Sequence, residues 1–394
     1  MKEPFLKAVP ILKQMEDAGY EAYFVGGAVR DYLLGKEIED VDIATSALPQ
    51  EVKAIFPKTV DVGIEHGTVL VLFKGEGYEI TTFRSESEYE NFRKPKEVTF
   101  IRSLYEDLKR RDFTMNAIAM NRFGEIIDPF FGQEAIQSKT ITTVGKADER
   151  FHEDALRMMR AIRFVSQLGF TLEENTLHAI LRNKQLLKHI STERLLSEFD
   201  KLLTGRKRSH ALQMIANTGI NEWLPGLKDE EKVIIKISQY SLLHRLQLLE
   251  MWALLCIHLN VPSVNTFLKK WRMSVKHMKT IQNICHAYNI RKRNEWTKHS
   301  LYEIGLDIAL MAENVYSIIH NQDSLHSIKK MKELYNSLPI KDRSELKVNG
   351  LDIMKWENRQ SGPWIKEKLA TIEQAVIDGT VLNDKEHIRK WLYS

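Results

Sequence analysis

In residues 1–145, some segments have the spacing of apolar residues that is typical of helices, and others have the composition that is typical of strands. Apolar residues recur at the helical interval over residues 6–18 and 28–34, which predicts two amphipathic helices. Other segments are rich in β-branched and aromatic residues, and Lys74-Gly75-Glu76-Gly77 is typical of a hairpin turn. The predicted strands span residues 21–25, 41–45, 68–73, 78–83, 117–120 and 125–127. We therefore expect an α+β fold whose N-terminal domain is a small mixed sheet of about five strands with helices.

Beyond about residue 146 the strand pattern disappears and helical periodicity takes over. Helices are predicted at residues 151–168, 172–183, 191–203 and 210–218, and helical periodicity continues to residue 394. We expect an elongated all-α region after the N-terminal domain. The predicted domains are residues 1–145, 146–205, 206–300 and 301–394.

Composition excludes some classes of protein but does not select a function. The chain has 394 residues, of which 43% are hydrophobic and 28% charged, and its net charge of +4 does not by itself indicate nucleic-acid binding. Cys256 and Cys285 have no partners at metal-ligand spacing and are expected to be buried, reduced thiols. The apolar stretch at residues 248–259 is too short to span a bilayer, and the first residues lack the signal-peptide pattern. We expect a cytoplasmic protein with no membrane partner.

Two carboxylates, Asp40 and Asp42, flank Val41 on a predicted strand. Alternate residues of a strand face the same side, so both side chains should project together. Paired carboxylates repel each other unless a cation lies between them, and hard oxygen ligands select Mg²⁺ or a similar ion. An Asp-x-Asp pair alone is also common on solvated surfaces. Glu79 lies in another predicted strand, where it is either a third carboxylate facing the pair or part of a solvated strand face.

A double glycine, Gly26-Gly27, stands between a predicted strand and a predicted helix shortly before the carboxylates. The start of a helix exposes backbone N–H groups, and glycine lets the backbone approach a phosphate closely. Arg30 on the same helix has the geometry to clamp phosphate oxygens. The alternative is a plain strand-to-helix turn. Because Asp40 and Asp42 follow the double glycine closely in the sequence, the arrangement favours a site for a phosphate and a metal ion.

The predicted helix at residues 151–168 carries its charges on one side. At the helical rotation of 100° per residue, Asp154, Arg157 and Arg160 share a face with Glu153, and Arg163 lies at its flank. An ordinary amphipathic helix with solvated charges is the alternative explanation. The opposite, buried face should contain Ala155, Met158, Met159 and Ile162.

Several motifs in order along the chain resemble one protein family. The sequence is similar to the class II tRNA nucleotidyltransferase and bacterial poly(A) polymerase family of the DNA polymerase beta nucleotidyltransferase superfamily. The tail resembles that of Bacillus-type CCA-adding enzymes, and the match covers nearly the whole chain. The motifs are GGAVRDYLLG with DVDIAT, RRDFTMNAIA at 110–119, DPFFG at 128–132, EDALRMMRAIRF at 153–164, ERLLSEFDKLL at 193–203, VNGLDIMKW at 348–356 and GPWIKEKL at 362–369.

The resemblance implies a template-independent addition of CCA to the 3′ end of tRNA, using CTP, ATP and Mg²⁺. Asp40 and Asp42 stand where the family binds metal, and a catalytic role is expected for them together with Glu79. The positions that match nucleotide contacts are Gly27, Arg30, Arg111, Asp154, Arg157, Arg160 and Arg163.

Hydrogen-bond chemistry supports a base-selecting role for two of these positions. Cytosine and adenine present an amino donor beside an acceptor ring nitrogen, whereas uracil and guanine present the reverse. A carboxylate accepts hydrogen bonds and a guanidinium donates them, so Asp154 with Arg157 complements cytosine and adenine. The resemblance implies that this pair acts as a protein template for CTP and ATP.

Three further expectations concern RNA and assembly. The charged segment at residues 84–95 is predicted to be a loop, which in CCA-adding relatives helps the switch from C to A addition. Basic clusters at residues 206–208, 269–272, 276–279 and 291–293 are candidates for tRNA phosphate contacts, with solvated faces as the alternative. Trp271 and Trp296 are expected to pack rather than stack on bases. Relatives also suggest a homodimer.

Alternative functions stay open at this point. A bacterial poly(A) polymerase shares the N-terminal motifs, and specialists that add only CC or only A fit the same residues. A non-catalytic RNA-binding protein is an alternative of a different class, although Arg30, Asp40 and Asp42 argue against it. A nucleotidyltransferase acting on small molecules is disfavoured by the large helical region.

Overall fold

The computed structural model describes residues 1–86, 89–90, 94–95 and 98–394. The chain divides into two compact units, Met1–Ser238 and Gln239–Ser394. The first unit holds the sheet and its helices, and the second is helical. The α+β fold class is therefore confirmed. The predicted division into four domains is not tested by these two units and stays a prediction.

The strands in the described residues all lie in the first unit. In chain order they are β1 Ala22–Val25, β2 Asp42–Thr45, β3 Thr59–Gly63, β4 Thr68–Phe73, β5 Glu76–Thr82, β6 Arg84–Glu86, β7 Tyr89–Glu90, β8 Lys94–Pro95, β9 Val98–Phe100, β10 Ala119–Met120, β11 Ile126–Ile127, β12 Thr140–Ile141 and β13 Thr171–Leu172.

Seven of the described strands form one mixed sheet in the order β11-β10-β1-β2-β5-β4-β3. The prediction of about five strands was low: the six predicted segments correspond to β1, β2, β4, β5, β10 and β11, and β3 was missed. That strand lies at the sheet edge and most of its residues are exposed, with Val60 46% and Val62 51% accessible. Val60 and Val62 do alternate with polar residues, but a five-residue run with two apolar positions is too short for its pattern alone to predict a strand.

The predicted hairpin joins β4 and β5 through a two-residue turn. Phe73 pairs with Glu76, so Lys74 and Gly75 form the turn. Both have positive φ angles, 49° and 87°, which is the backbone conformation of the tightest hairpin turns. Strand β5 then pairs in parallel with β2 in a register that places Ile80 opposite Ile43. Asp42 and Glu79 each come one residue before this pair on their own strand, so the register brings them beside each other.

The α-helices of the described chain lie in both units. Those of the first unit are α1 Phe5–Asp17, α2 Gly27–Leu33, α3 Pro49–Ile55, α4 Leu104–Lys109, α5 Gly132–Ser138, α6 Ala147–Glu153, α7 Leu156–Leu168, α8 Glu174–Asn183, α9 Thr192–Thr204, α10 Arg208–Thr218 and α11 Glu231–Ser238. Those of the second unit are α12 Leu248–His258, α13 Val264–Lys270, α14 Val275–Arg293, α15 Lys298–Ile304, α16 Leu306–His320, α17 Leu325–Asn336, α18 Gly350–Glu357, α19 Trp364–Ile377 and α20 Lys385–Leu392.

Two sequence-based expectations about the region after residue 146 were wrong. The helix predicted over residues 151–168 is interrupted, because Asp154 has the extended angles φ −141° and ψ 104° and separates α6 from α7. A strand also occurs there, since β13 pairs in parallel with β12. Two residues are too few to show a periodicity. The apolar face of α7 is as predicted, with Met158, Met159 and Ile162 fully buried.

The second unit has a core in which α12, α14 and α16 pack together. Trp252 and Trp271 meet edge to face with ring centroids 5.1 Å apart, and Cys256 and Cys285 are buried free thiols. Trp296 is also buried and donates to the carboxylate of Glu313. The packing roles expected for Trp271 and Trp296 are therefore confirmed. None of the helices in the described residues combines the length and apolarity needed to cross a membrane.

Candidate active site

A cavity of about 930 Å³ lies within the first unit, with acidic side chains at one end and a wall of arginines. Nine of the ten predicted site residues line it, and the tenth, Glu79, lines an adjoining cavity that also reaches Asp40 and Asp42. The lining residues are Gly26, Gly27, Arg30, Asp40, Asp42, His66, Arg84, Arg110, Arg111, Asp112, Asn116, Asp154, Arg157, Arg160, Arg163, Phe164, Gln167, Arg194 and Lys201.

The acidic end is formed by Asp40, Asp42 and Glu79. Strand β2 begins at Asp42 rather than at residue 41, but Val41 is buried and the aspartates on either side of it both face the cavity. Burial raises the pKa of Asp42, and the negative charges of Glu79 and Asp40 raise it further against the opposing effect of Arg111. The three carboxylates therefore repel one another, which is the electrostatic situation that a bound cation relieves.

The chemistry of these carboxylates fits a divalent metal ion. Asp40 and Asp42 supply hard oxygen ligands side by side, and their mutual repulsion is the property that a divalent ion offsets. No group of three or more acidic, histidine or cysteine side chains in the described residues has metal-binding geometry. An ion held by two aspartates would take its other ligands from water and substrate phosphates, as magnesium commonly does.

The double glycine allows the backbone to pass close to two charged groups. Gly26 has a φ angle of 72°, and a Cβ placed there would lie 3.1 Å from an Nη of Arg111 and 3.7 Å from an Oδ of Asp42. Gly26 is thus required both for its left-handed conformation and for space. At Gly27 a Cβ would lie 3.5 Å from the guanidinium of Arg30, so the glycine leaves one side of that guanidinium open toward the cavity.

Arg111 is held by a buried carboxylate. Asp107 is 1% exposed and accepts from Arg110 at 2.8 Å and from Arg111 at 3.1 Å. Burial alone would raise the pKa of Asp107, but the two guanidinium groups outweigh it and the pKa is lowered. The pair therefore stays charged, and Arg111 is oriented toward Gly26 and Asp42.

A second buried carboxylate links the head to helix α7. Asp112 accepts from Arg160 at 2.7 Å and from Asn116 at 3.0 Å, and Asn116 in turn accepts from Arg30 at 2.7 Å. Burial would raise the pKa of Asp112, but Arg160 and Asn116 outweigh it and hold the pKa at about 2. The chain of contacts fixes Arg30 and Arg160 relative to each other.

We expect the substitution Asp112→Asn to destabilise the protein by about 2 kcal/mol at neutral pH, because a pKa of about 2 in place of 3.8 corresponds to that difference. The folded-state pKa is depressed, so the stabilisation is complete well above pH 4 and is lost as the pH falls through the folded value. Urea unfolding at pH 7 and near pH 3 should show the difference between variant and parent shrinking to about half.

The control for that experiment is Asp61→Asn. Asp61 pairs with Lys53 at the surface, where both side chains are substantially exposed. Such a pair contributes less than about 1 kcal/mol, so its loss should leave stability nearly unchanged. An equal effect of the two substitutions, or one at Asp112 that does not depend on pH, would contradict the role given to Asp112.

Asp154 and Arg157 both reach the cavity, although not as two residues on one helix face. Asp154 lies in the break between α6 and α7, and its carboxylate accepts from Arg194 at 2.6 Å and 3.2 Å. Arg157 is 7% exposed, pairs with Glu153 and donates to the backbone carbonyl oxygen of Arg110 at 3.0 Å. The break turns the Asp154 carboxylate toward Arg194 on α9, which a continuous helix would not do.

The remaining arginines of α7 are anchored from α9. Glu198 is buried and forms ion pairs with Arg163 at 2.7 Å and with Arg160 at 3.5 Å. Burial lowers the pKa of Arg163 to about 10, against the opposing charge of Glu198. The alternative explanation, a solvated helix face, is wrong for Arg157 and Arg163, which are both buried.

Sequence reasoning missed the residues that hold the predicted ones. Asp112 and Asn116 lie within the motif at 110–119, and Arg194 and Glu198 lie within the motif at 193–203. Their signal was the presence of charged residues inside apolar motifs, which indicates buried polar contacts. Their partners are distant in sequence, so spacing could not identify them.

Two of the predicted basic clusters contain structural arginines. Arg208 is 5% exposed and donates to the backbone carbonyl of Gly205, and Arg291 pairs with Glu313 at 2.8 Å. These two side chains are therefore not available to an RNA phosphate in this conformation. The loop predicted at residues 84–95 is wrong where the segment is described, because residues 84–86, 89–90 and 94–95 form short antiparallel strands, β6 with β9 and β7 with β8. Residues 87–88 and 91–93 lie outside the described residues.

Three sequence profiles match along the chain in the order expected for one family. The Poly A polymerase head domain matches residues 22–142, the RNA and SrmB-binding site of polymerase A matches residues 169–231, and tRNA nucleotidyltransferase domain 2 matches residues 247–392. The CCA-adding enzyme of Geobacillus sp. strain WCH70 is 52% identical over all of this chain and 97% of its own length. This chain belongs to the CCA-adding enzyme family.

Further relatives support the same membership. The CCA-adding enzyme of Geobacillus stearothermophilus is 50% identical over all of this chain and 97% of its own length. The crystal structure of the Bacillus stearothermophilus CCA-adding enzyme in complex with CTP has a TM-score of 0.91 and 48% identity, covering all of this chain and 98% of that one. Membership of the CCA-adding enzyme family identifies the chain as a nucleotidyltransferase, as the motifs predicted.

Proposed function

We propose that this chain adds C, C and A in turn to the 3′ end of tRNA, using CTP and ATP and releasing pyrophosphate. The observation that carries the proposal is a single cavity in which paired carboxylates face a wall of arginines, in a chain similar over its full length to CCA-adding enzymes. The carboxylates would hold a metal ion next to the reacting α-phosphate, and the arginines would bind the negatively charged triphosphate.

The reaction is transfer of a nucleotidyl group to the primer 3′-hydroxyl. The hydroxyl oxygen loses its proton to solvent and bonds to the α-phosphorus, the bond from that phosphorus to the bridging oxygen breaks, and pyrophosphate leaves with the electron pair. Asp40 and Asp42 would hold Mg²⁺, which when bound lowers the pKa of the hydroxyl and offsets the charge of the phosphates. Glu79, beside Asp42 on β5, would complete the acidic end.

The arginines have separate parts in binding. Arg30, with Gly27, would contact the triphosphate, and Arg111, Arg160 and Arg163 would offset its charge. Each of these arginines is already held by a carboxylate or an amide, which fixes its position before the nucleotide arrives. Arg30 and Arg111 lie nearest the acidic end through their contacts with Gly26 and Gly27.

Base selection would use the acceptor of Asp154 and the donor groups of Arg157. The exocyclic amino group of cytosine or adenine donates to a carboxylate, and the neighbouring ring nitrogen accepts from a guanidinium. Uracil and guanine would place a carbonyl against Asp154 and an N–H against Arg157. A buried site that leaves such groups unpaired can reject the wrong base strongly.

The proposal also covers the organisation of the chain. Residues 1–145 would form the catalytic head, 146–205 the nucleotide-selecting neck, 206–300 the body and 301–394 a tail that contacts tRNA. A cytoplasmic location and a homodimer are part of the same proposal. Sedimentation of the purified chain would decide whether it is a dimer.

The function is tested by incubating the protein with Mg²⁺ and a tRNA that ends at the discriminator base. CTP, ATP, UTP and GTP are supplied singly and together, and the products are resolved on a sequencing gel. Addition of C, C and A followed by a stop, with no use of U or G, is the expected result. A long A ladder would indicate a poly(A) polymerase, and two C residues alone a CC-adding specialist.

Two other outcomes would also reject the proposal. Addition of A only to tRNA that already ends in CC would indicate an A-adding specialist. Binding of tRNA with no extension by any nucleotide would indicate an RNA-binding protein without catalysis. Pyrophosphate release in the same reactions gives an independent measure of turnover.

A further inference from the structure

Three arginines of the cavity surround one phenylalanine ring. The guanidinium carbon of Arg163 lies 4.0 Å from the ring centroid of Phe164, that of Arg30 lies 5.2 Å away, and that of Arg160 lies 5.8 Å away. Phe164 lies on α7 and is 4% exposed, yet it lines the cavity. An aromatic ring attracts cations within about 6 Å through its negative face.

The ring is held from a second side by the core of the unit. Phe113 meets it edge to face, with centroids 5.7 Å apart and planes at 87°. Phe113 is fully buried, so packing against the core holds the Phe164 ring on that side. The three guanidinium groups therefore arrange themselves around a rigid neutral surface.

A neutral partner solves a problem that a further carboxylate would not. Three positive charges within reach of one ring repel one another. Burial and the charges of Arg160 and Arg30 lower the pKa of Arg163. Asp31, Asp112 and Glu198 each hold one side of an arginine. One more carboxylate in place of the ring would neutralise the site for a triphosphate, and an aliphatic side chain would not attract the cations.

We propose that Phe164 is a positioning residue that gathers Arg30, Arg160 and Arg163 into a preformed triphosphate site through cation–π contacts. The inference rests on the proposed function in that it assigns these arginines to a nucleotide triphosphate. Phe164 itself accepts no hydrogen bond from the substrate, and the three arginines that surround its ring all line the cavity. Its contribution is the same for CTP and ATP, because the triphosphate is common to both.

The test separates the charge distribution of the ring from its shape. Phe164 is replaced by mono-, tri- and pentafluorophenylalanine, which progressively weaken the negative ring face while changing its size little. We expect the Kd for CTP, measured by calorimetry without RNA, and the KM for CTP and ATP to rise stepwise to about tenfold, in keeping with cation–π contacts of about 1 kcal/mol or more. The kcat and the preference for CTP over UTP should change less than about threefold.

Phe164→Leu removes the ring but keeps an apolar side chain, and it should raise the KM for both nucleotides at least as much as full fluorination. If that variant does not fold, the fluorinated series decides alone. Fluorination of Phe24, which is buried against Phe5 in the same unit, is the matched control and should leave the Kd for CTP unchanged.

The outcomes distinguish this inference from the proposed function. A Kd for CTP that does not change along the fluorinated series overturns the role of Phe164, even if the parent enzyme adds CCA. A role in packing alone would lower the melting temperature without a graded effect on nucleotide affinity. If the Kd for CTP rises stepwise along the fluorinated series but the parent extends no tRNA, the role of Phe164 stands and the proposed function is wrong.

Discussion

Replacing Asp42 by asparagine is expected to reduce kcat by about 10³-fold or more, because a metal ion held at the reacting centre contributes several kcal/mol to the transition state. We expect the stability of the fold to be kept. Burial and the charges of Glu79 and Asp40 raise the pKa of Asp42, so its charged form is disfavoured in the folded protein. Removal of that charge should leave the melting temperature unchanged or higher when no divalent ion is present.

The same variant gives a readout of metal binding that does not require turnover. Addition of Mg²⁺ should raise the melting temperature of the parent, since a ligand that binds only the native state stabilises it. Asp42→Asn should lose most of that increase. Asp17→Asn, at the exposed end of α1, is the control and should keep both the activity and the response to Mg²⁺. Substantial turnover by Asp42→Asn would remove the metal role from this residue.

The second large effect is expected at Asp154, where asparagine should lower the preference for CTP over UTP by about 10²-fold. The carboxylate only accepts hydrogen bonds, whereas an amide can also donate to the O4 carbonyl of uracil. The measurement is the ratio of kcat/KM for the two nucleotides on a tRNA that lacks CCA. Loss of activity with both nucleotides and an unchanged ratio would contradict a base-reading role.

Asp154 also binds Arg194, and that contact needs its own control. Arg194→Gln removes the bidentate partner of Asp154 but leaves the carboxylate as an acceptor. We expect this variant to raise the KM for CTP because the carboxylate is less well oriented, while UTP is still rejected. Equal loss of selectivity in both variants would place discrimination in the Arg194 contact rather than in the Asp154 acceptor.

Some elements were predictable because their signal is local. The hairpin between β4 and β5 follows from strand-forming residues on either side of a glycine-containing turn, and Lys74 and Gly75 adopt the positive φ angles that such a turn needs. The buried face of α7 follows from helical spacing alone. Strand β3 was missed because it lies exposed at the sheet edge, and β13 because it has two residues.

The break at Asp154 shows where local reasoning fails. Residues 151–168 have a continuous helical pattern, yet the chain leaves the helix for one residue whose carboxylate binds Arg194. Nothing in the spacing of apolar residues reports that contact, because Arg194 comes from α9, 40 residues later. The same carboxylate accepts from the backbone N–H of Leu156 at 3.1 Å, so a local contact and the tertiary contact together offset the small cost of interrupting a helix.

The sequence by itself determined the fold class, the family and nearly all of the residues that meet in the cavity. It could do so because the motifs keep their order and because residues two positions apart, such as Asp40 and Asp42, both face the cavity, although β2 begins only at Asp42. Only the tertiary structure decided how those residues are held. Asp112, Asn116 and Glu198 fix the arginines, and Phe164 stands among three of them. These contacts join elements far apart in the chain, where sequence spacing carries no information about distance.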